Sequence, residues 1–232
     1  MEQEQREYFE NMYTSIEVLS EKSGFVAAEI EAFINSGCIP KPSYELRLRE
    51  EAYAYINSEI NTLSIETTER YFSNDIVHLL EFLDRMKLDY APGELAKRMK
   101  AEQMRQFCDG LDLYRANEFN YLNLYQANGE IDSKKLEAHF EDYIWPNWLN
   151  GTWGICVYNS HIGQNIARKT IAVERVRMLT ENGKKSAFTD LEAIEVKNAC
   201  DEYNEIVPPF SPHDRHDSSR ANLVDTALEN IK

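Results

Sequence analysis

The chain is poor in the residues that build stapled or loop-rich folds: of 232 residues, four are cysteine, nine glycine and seven proline. Cys38, Cys108, Cys156 and Cys200 lie far apart with no Cys-x-x-Cys pair, which speaks against a disulfide frame or a zinc knuckle and for reduced thiols in a cytoplasm. No run of eighteen apolar residues is present, so no membrane span is expected. The opening "MEQEQREYFE" is acidic and helical where a targeting signal would be basic or apolar. Positive charge is also scarce. Lys and Arg number 25 against 40 Asp and Glu, a net charge of -15 that opposes binding to nucleic acid or to an anionic membrane surface. Internal repeats and low-complexity segments are lacking too.

What is present is apolar spacing of three and four, together with many Glu and Lys. This predicts an all-α, mostly helical protein, long enough to bury a core of its own. "YAPG" at Tyr90–Gly93 is the best boundary, giving expected units 1–90 and 91–232. In the first unit, Thr14 and Glu17 read as a capping box with Tyr13 and Val18 as its staple. Val26, Ile30, Phe33 and Ile34 form a stripe that Gly37, Pro40 and Pro42 stop. Two helices and a tight turn make a helix-turn-helix. "RYFSNDIVHLLEFLD" offers Ser73 as cap, with Ile76, Leu79, Leu80 and Leu83 on one face. The second unit is read as five further helical segments without strand-like alternation, with Thr189 and Glu192 as another capping box.

The order helix, turn, helix, "GCIPKPSY", a variable segment and "YFSNDIVHLLEFL" resembles the winged helix-turn-helix of MerR-type regulators over residues 13 to 85, which implies a DNA-reading scaffold. The charge departs from that pattern: residues 1–85 carry seventeen Asp and Glu against seven Lys and Arg, a balance of -10. The helix that would enter the groove, "VAAEIEAFINS", holds two glutamates and no Lys or Arg, whereas base readout needs cations and amides. The expectation is a MerR-like scaffold without nucleic-acid binding.

All three tryptophans fall in "WPNWLNGTWGICVYNSHIG", residues 145–163. Trp148 and Trp153 supply flat apolar surface, and Gly151 and Gly154 permit tight turns or close approach of a ligand. Read functionally the segment is an aromatic pocket wall; read structurally it is core. Cys156 and His161 have the chemistry of a thiolate and its base, though a small buried cysteine is the commoner case. From Arg168 to Lys185 six cations meet two acids, so Arg168 and Lys169 could hold an anionic group, unless those charges pair with acids elsewhere. His213-x-x-His216 is too closely spaced for the usual zinc pattern, and His78 and His139 near carboxylates lack the paired Glu-x-x-His of di-iron bundles. No metal is expected, and the sequence names no cofactor.

"WLNGTWGICVYN", "IARKTIAVERVRMLT" and "PFSPHDRHDSSRANLVDTALENI", with the helix-turn-helix before them, resemble a bacterial family of natural-product biosynthesis proteins. The resemblance implies a place in a secondary-metabolite pathway, with a small organic or carrier-linked substrate near residues 145–177. It supplies no reaction. A ligand-sensing MerR-like regulator and a non-catalytic interaction protein remain alternatives, and both catalysis and a homodimer stay open.

Overall fold

In the computed structural model, which describes residues 3–56 and 59–231, the expected helices form over most of the chain, but the segment between "CIPKPS" and "DIVHLLEFL" is extended. The first unit runs α1 (Gln3–Met12), β1 (Tyr13–Ser15), α2 (Ile16–Ser23), α3 (Ala27–Ser36), β2 (Tyr44–Ile56), β3 (Glu59–Ser73) and α4 (Ile76–Met86). The strands make an antiparallel sheet in the order β1-β3-β2, with Tyr13 opposite Ser73, and Tyr44 opposite Tyr71 at the base of a long hairpin. The all-α expectation is therefore corrected to a mostly helical protein with a small sheet. β2 and β3 carry β-branched and aromatic residues that suit a pleated surface, including Tyr44, Thr67, Thr68, Tyr71 and Phe72.

The caps shift with the sheet. Tyr13 and Thr14 belong to β1, so the α2 cap is Ser15, whose hydroxyl accepts from the Val18 amide at 3.4 Å. Thr14 instead donates to Asn74, and Val18 is exposed, so the predicted staple does not form. In α3, Ile30 and Phe33 are buried and Glu29 closes the start by accepting from the Val26 amide. Gly37, at φ 77°, ends it as expected. In α4 the predicted face is buried, and the cap position falls to Asp75 rather than Ser73.

The second unit holds α5 (Pro92–Leu113), α6 (Ser133–His139), α7 (Trp145–Leu149), α8 (Thr152–Cys156), α9 (Gly163–Leu179), α10 (Asp190–Ile206) and α11 (Thr226–Asn230). A π turn at Phe140–Ile144 joins α6 to α7, and a second at Arg220–Asp225 leads into α11. The Thr189–Glu192 capping box forms as read. α5 and α9 pack closely because Gly110 and Gly163 have no side chain: a Cβ at Gly110 would lie 2.7 Å from that of Ala167, and one at Gly163 would lie 2.5 Å from the Gln103 carbonyl.

One buried apolar cluster runs from Ile16 to Ala227, on both sides of Tyr90–Gly93. An aromatic cluster of Phe9, Tyr13 and Tyr71, flanked by Tyr8 and Tyr44, covers the sheet. It reaches the later chain through Tyr44, which donates to Asp214 at 2.8 Å, and Tyr8, which donates to the Pro209 carbonyl at 2.9 Å. Burial pushes the Tyr13 and Tyr44 hydroxyls well above the ordinary phenol range. Among the described residues no helix is long and apolar enough to cross a membrane.

Candidate functional site

The segment "LNGTWGIC" has two faces, because α8 turns as a helix and sends positions two residues apart to roughly opposite sides, while positions three or four apart share a side. Gly151 and Gly154 face the first unit. A Cβ on Gly151, whose φ is 81°, would lie 2.6 Å from the Lys41 carbonyl oxygen; one on Gly154 would lie 2.4 Å from Ser43 Oγ. Across this seam the Lys41 amide donates to the Leu149 carbonyl at 2.9 Å, and Ser43 donates to the Gly151 carbonyl at 3.0 Å. These glycines admit "IPKPS", not a ligand. Trp148 and Trp153, each 2% exposed, lie in the same seam. Trp148 stacks on Trp145 at 4.8 Å, and the Trp153 indole donates to the Ile144 carbonyl at 2.9 Å. Packing across this seam accounts for the burial of Trp148, Gly151 and Gly154, and none of the three lines the cavity on the other side of α8.

The opposite face of α8 opens on a cavity of about 690 Å³. Thr152, Ile155 and Cys156 line it from α8, Lys169, Thr170 and Val173 from α9, and His139 and Tyr143 from the α6 region. Tyr121, Leu122, Phe210, Ser218 and Ser219 add to the wall, with the Glu174–Arg177 pair of α9. His139 and Tyr143 sit at the first π turn, and Ser218 and Ser219 just before the second; π turns are found disproportionately at functional sites.

Lys169 enters this cavity with its ammonium 5.3 Å from the centre of the Trp153 ring. It has no ion-pair partner among the described residues. Its neighbours do: Arg168 pairs with Glu205, Arg175 with Glu202 at 2.8 Å, and Arg177 with Glu174. Arg168 therefore serves the packing of α9 on α10, with its guanidinium 5.6 Å from the Tyr114 ring, and does not line the cavity. His139 stacks on Tyr143 at 5.5 Å, and its buried Nε2 has no hydrogen-bond partner. Burial lowers its pKa, so it is a neutral imidazole at neutral pH. The Cys156 thiol is pushed up by burial, an effect that outweighs the opposing pull of Lys169, and it donates to the Thr152 carbonyl at 3.6 Å. At neutral pH it is therefore held as a protonated thiol.

Cys156 and His161 do not come together. His161 lines a separate cavity of about 630 Å³ between α4 and α5, and its Nδ1 lies 2.8 Å from Asp75. Among the described residues no three His, Cys, Asp or Glu side chains converge as a metal set. His213 and His216 meet only as rings 6.3 Å apart.

The family model of DUF6058, a family of unknown function, matches residues 104–232, more than half of the chain. The chain belongs to the DUF6058 family. Every residue lining the 690 Å³ cavity falls inside the DUF6058 region, whereas "IPKPS" and Asp75 lie before it. Neither a curated protein nor a solved structure matches the chain.

In the sequence His139 stands out only as a metal-capable side chain, and Tyr121, Phe210 and Ser218 do not stand out at all. The last three come from loops and short turns with no periodicity to mark them. A signal for Thr152 and Cys156 was available: their spacing of four places them on one helix face, opposite Gly154.

Proposed function

We propose that the protein binds a small organic molecule carrying an anionic group in the DUF6058 cavity. Lys169 meets the anion, and Tyr121, Tyr143 and Phe210 hold the apolar body. The supporting observation is Lys169 itself, a half-buried ammonium with no ion-pair partner among the described residues in a protein of net charge -15, while the Glu174 carboxylate in the same cavity wall is already paired with Arg177. A charge so placed is best satisfied by a ligand carboxylate or phosphate. His139 in the same cavity wall has an Nε2 without a hydrogen-bond partner, a second polar group open to a ligand. The resemblance to natural-product biosynthesis proteins supports a secondary-metabolite pathway as the setting, with a free or carrier-linked acid as the ligand class. With Cys156 held as a thiol, binding is the activity proposed.

Benzoate and phenyl phosphate are the probes, titrated against tryptophan fluorescence, since Trp153 lies against Lys169. Lys169→Gln should weaken binding about tenfold to a hundredfold, the worth of a hydrogen bond to a charged group. Arg168→Gln, at the neighbouring paired cation, should change it little. Absence of binding by wild type, or equal binding by Lys169→Gln, rejects the proposal.

We further propose that α2, α3, the β2–β3 hairpin and α4 are a winged helix-turn-helix scaffold that does not read DNA. The order of elements supports the scaffold, and the surface of α3 supports the loss of function. Its exposed residues are Ala27, Ala28, Glu29, Ala32 and Asn35, and its other acid, Glu31, is held by Arg70. In a mobility-shift assay at physiological salt no sequence-selective duplex binding is expected below micromolar protein. Selective retardation would restore the regulator reading.

A further inference from the structure

The cavity between α4 and α5 belongs to neither proposal above, and it contains a prepared hydrogen-bonding group. Asp75, 5% exposed, accepts from the His161 amide at 2.9 Å, from Ser160 at 3.4 Å and from Ser73. It also meets the His161 ring at Nδ1. Burial alone would push this carboxyl up, but the hydrogen bonds from His161 and Ser73 outweigh it and hold the group below its ordinary value, so it is ionised. An ionised carboxylate only accepts, so in the neutral ring Nδ1 carries the proton and Nε2 presents its lone pair. Nε2 has no hydrogen-bond partner among the described residues, and His161 lines the cavity. Beside it Gln103, 3% exposed, donates to the His161 carbonyl and has an Oε1 with no partner.

The cavity therefore joins the His161 ring to an apolar lining of Leu79, Phe82, Met86, Leu95 and Met99. The nearby charges are already neutralised. Arg98 pairs with Glu94 at 3.3 Å, and Arg105 with Glu102 and Asp109 at 2.6 Å each. An ionic head group would find no counter-charge there. We infer that this cavity is a second ligand site, for a neutral amphipathic molecule whose hydroxyl or amide N–H donates to His161 Nε2 while its apolar body lies between α4 and α5. The pair thus acts as a fixed acceptor, oriented by Asp75 as a carboxylate orients an imidazole in other polar sites.

The test uses 1-hexanol and methyl pentyl ether, equal in size but differing in the donor, with binding followed by protein chemical-shift changes around α4 and α5. Wild type should prefer the alcohol about fivefold to tenfold, the worth of one neutral hydrogen bond. His161→Asn keeps an N–H for Asp75 but removes the Nε2 acceptor, and should bring the two probes to parity. Phe82→Lys, at an exposed position on the apolar wall, should weaken both with little cost in folding. Equal binding of the probes by wild type, or no binding of either, would overturn the inference. So would a preference that survives His161→Asn in a folded protein, or binding that ignores Phe82→Lys.

Discussion

Trp153→Ala is expected to lower the unfolding free energy by about 3–5 kcal/mol, the usual range for truncating a buried tryptophan. The residue is 2% exposed, donates to the Ile144 carbonyl at 2.9 Å, and meets the edge of Tyr143 at 5.7 Å. Truncation opens a void where "IPKPS", α8 and the first π turn meet, and Gly151 and Gly154 are already in contact with the backbone or side chains of residues 41–43, so collapse to fill it is constrained. Domains of this kind are commonly stable by about 5–15 kcal/mol, so the loss is a large share of the total. Urea unfolding followed by circular dichroism measures it. Trp153→Phe, which keeps most of the apolar area and loses the indole N–H, should cost about 1–3 kcal/mol through the unpaired Ile144 carbonyl. A Trp153→Ala variant within 1 kcal/mol of wild type would place the ring outside the core.

The same residues show how far the sequence can be read. The helices whose apolar positions repeat at three and four, such as Ile76, Leu79, Leu80 and Leu83, are where the pattern puts them, because burial of one face decides both pattern and helix. The long hairpin is harder to see: "ELRLREEAYAY" interleaves charges with apolar residues at short range, and Leu, Ala and Glu suit a helix equally well. At "WLNGTWGIC" the concentration of aromatics and glycines draws attention to the segment, yet does not say which side the glycines face. Nothing local says that residues 41–43 will lie against them. Lys169 is legible as a cation, but its significance rests on what is absent around it, and that depends on Arg168, Arg175 and Arg177 finding Glu205, Glu202 and Glu174. Asp75 and His161 stand 86 positions apart, so their pairing has no local signal.

Asp75→Ala is the second change of large expected effect, about 3–5 kcal/mol at pH 7, because several donors to one buried carboxylate are left without an acceptor, each at a cost of about 1–3 kcal/mol. The His161 amide and Nδ1–H and the hydroxyls of Ser73 and Ser160 would all lose their acceptor in a site where water has little access. The pH dependence has a fixed sign. The folded-state pKa of Asp75 is lowered relative to an unfolded value near 4, so its contribution is fully present above that value and is lost as pH falls through the folded one. Wild type should therefore lose stability relative to Asp75→Ala as the pH is taken below about 4, and the gap between them should narrow in that window. Asp75→Asn keeps the size and one acceptor oxygen but has no charge to titrate, so it should fall between the two at pH 7 and lack the acid-dependent slope. Unfolding curves collected from pH 7 down to pH 3 separate these outcomes. Parallel curves for wild type and Asp75→Ala would mean that the carboxyl does not titrate with folding, and a loss below about 1 kcal/mol at pH 7 would remove Asp75 as the group that fixes the His161 ring.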